Sequence, residues 1–233
     1  MYGFICGNVR ISGNVRIMLG SDKKTHNQPQ PRTLGTRRGS VSLQGPSQLR
    51  LPIVGVQGGG AITYYRKDKF DHNPVETQVN GSLSRWNYPP YTTSHFTVKK
   101  KIEEVLGYDL LKTYFYDRFY FTGQELTRHS DRPACEISVT IQVSSNQKKS
   151  WPIWFETKEG KEVFVNMKDG DGVIYRGCER EHWREPLESR YSKAELLLRK
   201  LIKKEDDTYH HQIFYHFVDS QGPYVWAAND SVR

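Results

Sequence analysis

Apolar and polar residues alternate through most of the second half of the chain, with the period of two that is typical of half-buried β-strands. The clearest case is the segment 136–143, in which four β-branched residues point to one face, namely Ile137, Val139, Ile141 and Val143. Similar strand-like segments recur at short intervals, with turn residues between them, at 114–121, 151–155, 162–165, 173–175 and 212–218. Many short strands separated by turns favour a mainly β fold of the sandwich or jelly-roll kind.

One segment before these strands has the period of an α-helix. Residues 94–107 carry an apolar stripe, formed by Val98, Ile102, Val105 and Leu106. Ser94 or Thr97 can serve as the N-cap, and Gly107 suits the position after the last turn. We therefore predict a helix over 94–107.

A second helix is predicted within a charged insertion, residues 187–209. Ser192 and Glu195 have the spacing of a capping box. The apolar stripe that follows consists of Leu197, Leu198, Leu201 and Ile202. We expect these two helices to flank the β-structure.

The net charge of +8 is concentrated in the first quarter of the 233-residue chain. Residues 1–60 hold eight Lys or Arg residues and one acidic residue, and they are rich in Gly, Ser, Pro, Gln and Asn. Such a stretch buries too little apolar surface to offset the entropy of ordering it. We predict that 1–60 form a basic, low-complexity, flexible extension. Residues 61–233 are then one folded domain with its core in 99–219.

The basic extension has two interpretations. A basic arm can neutralise phosphates and so contact nucleic acid, whereas a solvated linker needs no partner. We favour the linker, because the rest of the chain is almost neutral.

The cysteine pattern indicates in which cellular compartment the protein lies. Cys6, Cys135 and Cys178 are odd in number and widely spaced, which argues against a disulfide framework and favours a reducing environment. No apolar run approaches the length of a membrane span, and the first residues lack the regions of a secretion signal. We expect a cytoplasmic protein with no membrane partner.

The candidate chemistry begins with His129 and Asp131, which stand just before the strand 136–143. In an extended chain, residues two apart point to the same face, so this imidazole and carboxylate can converge on one divalent metal. The pair alone is a weak signal, since a local hydrogen bond at a strand end would also explain it. His182 is the best third ligand. Two histidines and one carboxylate form the facial triad of non-haem Fe(II) oxygenases.

The order and spacing of two segments, 118–131 and 170–182, extend this motif. On these residues the chain resembles the Fe(II)/2-oxoglutarate dioxygenase superfamily, and within it the prolyl-4-hydroxylase-like branch of phage and marine microbes. The resemblance covers 99–219. It implies a double-stranded β-helix, a jelly-roll or cupin-like fold, with Fe(II) held inside one end by His129, Asp131 and His182.

The resemblance also implies residues that hold 2-oxoglutarate. Tyr120 stands nine residues before the first ligand, where the branch places a tyrosine that bonds the cosubstrate carboxylate. An ordinary strand aromatic is the simpler interpretation of Tyr120.

The far carboxylate of the cosubstrate has no standard partner in this sequence. The family usually places an Arg or Lys on the last strand, but 210–218 contains neither. Arg184 is the natural substitute, because an extended chain puts it on the face of His182 and a guanidinium grips a carboxylate with two hydrogen bonds. A surface pair with a neighbouring glutamate is the simpler interpretation. Arg190 and the run His210–Gln212 are fallback donors.

The function implied by the resemblance is hydroxylation of a C–H bond, in which 2-oxoglutarate and O2 are consumed and succinate and CO2 are released. A protein or peptide side chain is the favoured substrate and a small molecule the next, and ascorbate is a candidate reductant. Two alternatives stay open. One is an oxygenase that acts on nucleic acid, and the other is a non-catalytic jelly-roll module that binds through residues 1–60.

Several other residues with chemical potential are interpreted as structural. His216 alternates within a strand, which is typical of a core or rim histidine. Cys135 and Cys178 are interpreted as small packed residues, and Trp151 and Trp154 as lining the barrel or its mouth.

Overall fold

The structure is a computed structural model. It describes residues 78–228 and 230 in full, and residues 12–18 and 49–52 as backbone strands. No helix in these described ranges is long and apolar enough to cross a membrane.

The larger sheet has seven strands in the order β2-β1-β9-β6-β11-β4-β3. Its centre is antiparallel, with β11 paired to both β6 and β4. The strands are β1 (Ser12–Met18), β2 (Leu49–Pro52), β3 (Leu83–Trp86), β4 (Leu110–Phe121), β6 (Ile137–Ser145), β9 (Gly172–Tyr175) and β11 (Tyr209–Asp219).

The smaller sheet has four antiparallel strands in the order β5-β10-β7-β8. They are β5 (Leu126–His129), β7 (Ile153–Glu156), β8 (Glu162–Val165) and β10 (His182–Arg184). The two sheets face each other, since Phe155 and Val165 of the smaller sheet pack with Val173 and Tyr175 of the larger one. The expected fold class, a mainly β double-stranded β-helix with a few flanking helices, is confirmed.

The structure has a strand at each of the predicted segments, but most of these strands begin or end at a different residue. The segment 151–155 is a strand only from Ile153, because Pro152 has no backbone N–H to donate to a ladder. The indole Nε1 of Trp151 donates to the carbonyl of Glu185. The irregular stretch before the first helix contains a strand that the sequence did not predict, β3, which pairs with β4.

Two short strands lie within the predicted extension. β1 pairs with β2 in antiparallel fashion and with β9 in parallel fashion. The remainder of 1–60 lies outside the described residues. The division of the chain at residue 60 therefore stays a prediction.

The helix α1 (Thr92–Leu106) covers the outer face of the larger sheet. Val98 and Ile102 pack there with Ile137, Val139 and Ile141, the face that the alternation predicted. The helix begins before either predicted cap. The Ser94 hydroxyl does not cap the helix but donates to the carbonyl of Tyr91.

The helix α2 (Lys193–Leu201) begins with the predicted capping box, in which Ser192 accepts from the backbone N–H of Glu195 and the Glu195 carboxylate accepts from that of Ser192. Its apolar stripe does not enter the core. The four side chains of this stripe are exposed, namely Leu197, Leu198, Leu201 and Ile202.

The buried His95 of α1 predicts a loss of stability in acid. Its ring is buried against Phe115, Tyr215 and Phe217, and burial, with a smaller contribution from Lys112, lowers its pKa to about 3. The unfolded chain binds a proton near pH 6.5, so the unfolded state holds more protons below that pH and stability falls as pH falls.

We expect the free energy of unfolding to fall by about 1.4 kcal/mol per pH unit from His95 alone between pH 6.5 and about 3. Urea unfolding at pH 7.5, 6 and 5 measures the slope. In His95→Gln the amide can still donate to the carbonyl of His216, so the slope should become shallower. An equal slope in both proteins would contradict the prediction.

Candidate metal centre

The structure brings the three predicted metal ligands together at one end of the sheet pair. His129 ends β5 and His182 begins β10, and the two residues are direct partners in the antiparallel ladder. The Nε2 atoms of His129 and His182 lie 3.5 Å and 3.8 Å from Oδ1 of Asp131. All three ligand atoms lie within 4.8 Å of one another. Two imidazole nitrogens and one carboxylate oxygen thus face a common point.

Backbone carbonyls orient both imidazoles. Nδ1 of His129 lies 2.7 Å from the carbonyl of Thr127, and Nδ1 of His182 lies 3.0 Å from that of Arg180. Because a carbonyl can only accept, each Nδ1 carries the hydrogen and each neutral ring keeps its Nε2 lone pair for the centre. This arrangement is typical of histidines that bind a metal.

The electrostatics of the three groups suit metal binding at neutral pH. Burial alone would raise the pKa of Asp131, but His182 and His129 hold it well below its usual value. Burial lowers the pKa of His182. Burial also opposes the proton on His129, yet the hydrogen bond and charge of Asp131 raise its pKa. In the charged form of His129 the second proton is on Nε2, and a metal bound there would replace it.

The centre is open on one side. The side chains of His129 and Asp131 are partly exposed, at 20% and 13%, whereas that of His182 is almost fully buried. A molecule can therefore approach from the side of His129 and Asp131.

Arg184 lies in the interior, two residues beyond His182 on β10. One guanidinium nitrogen donates to the carbonyl of Trp151, and the guanidinium lies 4.5 Å from the centroid of the Trp151 ring. Its Nε and Nη2 are buried without a hydrogen-bond partner in the described part of the chain. Burial lowers the pKa of Arg184 to about 10, so it stays charged at neutral pH. The surface pair with a glutamate is therefore the wrong interpretation.

Tyr120 lies beside the same indole. Its ring meets that of Trp151 edge-on at 5.0 Å, and its hydroxyl accepts a hydrogen bond from Arg118 at 3.3 Å. The hydroxyl hydrogen is left to donate elsewhere. Tyr120 is fully buried and faces the smaller sheet, a position that fits both a core aromatic and a cosubstrate-binding residue, so its role stays a prediction.

The fallback donors to the far carboxylate, Arg190 and His210–Gln212, lie in different parts of the structure. His210 packs edge-on against Trp151 at 5.0 Å, and the side-chain nitrogens and oxygen of His210 and Gln212 are buried without partners among the described residues. His211 points to the outer face, where its ring bonds Asp117 at 2.8 Å. The guanidinium of Arg190 lies over the ring of Tyr191, and its backbone N–H bonds Thr208.

Two further residues adjoin the centre without having been predicted. Tyr175 is buried on β9, with its hydroxyl 3.4 Å from Nε2 of His182, and Arg118 lies on β4 beside Tyr120. Both are interior positions of strands. The only signal in the sequence was their alternation, which also fits ordinary core residues.

The roles expected for other residues are partly confirmed. Cys135 is buried, and Trp151 lines the interior. Trp154 lies on the outer face of the smaller sheet, stacked on Trp183 at 6.1 Å. His216 is buried, and its ring reaches the surroundings of Asp131.

Comparison with known proteins gives structural matches only. No protein-family model matches the chain, and no curated protein matches it. A prolyl-4-hydroxylase from Pseudomonas putida is similar over 66% of this chain and 78% of its own, with 14% identity and a TM-score of 0.48. A 2OG-Fe(II) oxygenase family oxidoreductase from Burkholderia pseudomallei is similar over 65% and 71%, with 11% identity and a TM-score of 0.45. HygX from Streptomyces hygroscopicus, with nickel and 2-oxoglutarate bound, is similar over 68% and 75%, with 7% identity and a TM-score of 0.45.

The matched structures include 2-oxoglutarate/Fe(II) oxygenases and prolyl hydroxylases. Because their TM-scores are below 0.5, we rest no residue role and no substrate on them. Ascorbate finds no support among them.

Gly177 provides a test of how tightly the centre is built. A Cβ at this position would lie 2.4 Å from Oδ2 of Asp131 and 2.4 Å from the carbonyl of Cys135. We expect Gly177→Ala to displace the carboxylate, weaken metal binding at least tenfold and destabilise the fold by about 1–3 kcal/mol.

Metal titration and urea unfolding of Gly177→Ala measure both effects. Gly222→Ala is a matched control, because a Cβ there would meet only Asp219, with 2.8 Å to its Cβ. This control should leave metal affinity unchanged. Wild-type metal affinity in Gly177→Ala would contradict the geometry described above.

Proposed function

We propose that this protein is an Fe(II)- and 2-oxoglutarate-dependent dioxygenase that hydroxylates a C–H bond. The observation that carries the proposal is the combination of two features inside one barrel. Two oriented imidazoles and one carboxylate converge at its open end, and a charged guanidinium without an acidic partner in the described chain lies further inside.

The donor set fits a divalent metal of the iron type. Ligand atoms about 2.1 Å from a metal are separated by roughly 3 to 3.4 Å, and the observed 3.5 Å and 3.8 Å need only a small contraction. Three protein ligands on one side leave the remaining positions open. His129, Asp131 and His182 would hold the Fe(II).

The interior fits a dicarboxylate. A buried charge without a partner is costly, so the free Nε and Nη2 of Arg184 favour an anionic ligand with two acceptor atoms. Tyr120 can donate a further hydrogen bond, and Trp151 forms a flat apolar wall between them. His210 and Gln212 have buried polar atoms in the same interior layer, where burial lowers the pKa of His210 and the charge of Arg184 lowers it further.

The residues of the site would have separate roles in holding the metal, orienting the cosubstrate and admitting the substrate. O2 would be the oxidant: Fe(II) would activate it, and 2-oxoglutarate would supply two electrons, so that one oxygen atom enters succinate as CO2 is released and the other enters the hydroxylated C–H bond. Arg184 and Tyr120 would orient the cosubstrate. The exposed side of His129 and Asp131 would admit O2 and the molecule to be hydroxylated.

The substrate is proposed from the family resemblance in the sequence. A protein or peptide side chain is favoured and a small molecule is second, and succinate release in the presence of candidate peptides tests this choice. The two alternatives, a nucleic-acid oxygenase and a binding module without metal, depend on residues 1–60. Most of those residues lie outside the described ranges, so the alternatives stay predictions.

The metal and the cosubstrate can be tested together without knowing the substrate. We expect anaerobic titration of the apo-protein with Fe(II) and then 2-oxoglutarate to produce the weak visible charge-transfer band of the chelate. Asp131→Ala should abolish the band, because it removes the only anionic ligand. Asp109→Ala, at an exposed position, is the matched control and should keep it. A wild-type protein that binds no Fe(II) would exclude the proposed function.

Arg184→Met tests the cosubstrate separately from the metal. The guanidinium provides charge-assisted hydrogen bonds worth about 1.5–3 kcal/mol, so 2-oxoglutarate affinity should fall roughly 10- to 150-fold. Fe(II) affinity should not change. Arg128→Met is the control, because Arg128 pairs with Glu162 and Glu181 on the surface. Unchanged 2-oxoglutarate affinity in Arg184→Met would leave the metal site intact but remove Arg184 from the cosubstrate site.

A further inference from the structure

Ser138 connects the candidate metal ligand Asp131 to a buried histidine that the proposed chemistry does not use. Its hydroxyl oxygen lies 3.0 Å from Oδ2 of Asp131 and 3.0 Å from Nδ1 of His216. Ser138 and His216 are buried, with exposures of 0% and 3%. These two side chains are therefore shielded from solvent, whereas Asp131 is partly exposed.

The hydrogen atoms can be assigned along this chain. A carboxylate can only accept, so the Ser138 hydroxyl donates its single hydrogen to Asp131 or to the carbonyl of Cys135, which lies 3.1 Å away. The charged acceptor forms the stronger bond. With its hydrogen directed to Asp131, the hydroxyl oxygen accepts the Nδ1–H of His216.

The backbone fixes each member of this chain. Ser138 and His216 are direct partners in the ladder between β6 and β11. The rings of Tyr114 and Tyr116 lie 4.6 Å and 5.8 Å from the His216 ring, which restricts its rotation. On the other side, Gly177 leaves no space for the Ser138 hydroxyl or the carboxylate to move away.

We propose that Ser138 and His216 are positioning residues of the metal centre, which hold Oδ2 of Asp131 so that Oδ1 faces the metal. This inference rests on the proposed function. A carboxylate held by one oxygen acts as a monodentate ligand and leaves a coordination position for cosubstrate or O2. The same carboxylate without this hydrogen bond could rotate and occupy two positions.

Direct ligation by His216 is a less favourable arrangement. Asp131, Cys135 and His216 also have potential ligand atoms within 4.8 Å of one another. The Cys135 sulfur is engaged by the Tyr114 hydroxyl at 3.0 Å, and Nδ1 of His216 is engaged by Ser138, which leaves Nε2 as the ring nitrogen of His216 without a partner among the described residues. In contrast, the Nε2 atoms of His129 and His182 are directed to a common point.

The test measures metal binding of the full-length apo-protein with Co(II), whose visible spectrum reports coordination number and symmetry. We expect Ser138→Ala and His216→Leu each to weaken Co(II) binding about 10- to 100-fold and to change the spectrum. The double variant should be no weaker than the worse single variant, because both act through one chain. His216→Asn keeps a donor near Nδ1 and should recover much of the affinity.

Ser94→Ala is the matched control, since it removes another buried hydroxyl that bonds Tyr91 and Tyr215 far from the metal centre. Urea unfolding with chelator present shows whether each variant folds. Wild-type affinity and spectrum in a folded Ser138→Ala would overturn the positioning role and leave the proposed function standing. Complete loss of binding in His216→Leu, as in His129→Ala, would make His216 a ligand instead. A wild-type protein that binds no metal would overturn both proposals.

Discussion

The pairing of β5 with β10 is the contact on which the candidate site depends. It places His129 directly opposite His182 in the ladder, although 53 positions separate the two residues in the chain. Asp131 follows β5 and is fixed by the hydrogen bond from its backbone N–H to the carbonyl of Gly177. A register shift by one residue would turn one imidazole to the opposite face of the sheet. The register of these two short strands is therefore what brings the candidate metal ligands together.

The interior beyond the metal centre carries polar groups that do not stabilise the fold by themselves. Arg184, His210 and Gln212 have buried atoms without partners in the described chain, and each such group costs free energy when it is removed from water. A fold selected only for stability would fill these positions with apolar side chains. Their presence is most simply explained by a ligand that satisfies them together, and the proposed cosubstrate would stabilise the barrel by binding there.

The sequence predicted the parts of this molecule that depend on local pattern. The strands around 136–143 and 212–218, the capping box at Ser192 and the His-x-Asp pair each have a signal within a few residues. The strand β3 was missed because its four residues show too little alternation and gain their order from pairing with β4. Arg118, Ser138 and Tyr175 were missed for a related reason. Their neighbours in the site come from strands distant in sequence, and nothing in a single strand distinguishes them from core residues.

The alternation of side chains along a strand explains how one sheet can support both stability and chemistry. On β11, Ile213, Tyr215 and Phe217 point outward and join the apolar core under α1. The alternate residues His210, Gln212 and His216 point to the interior, as does Phe214, which packs there with Tyr120 and Trp151. Since successive residues face opposite sides, the outer face can be packed for stability without constraining the inner face. The apolar cluster under α1 adds stability that does not depend on the interior, whereas on the inner face the polar groups of the candidate site share the space with the apolar contacts between the two sheets.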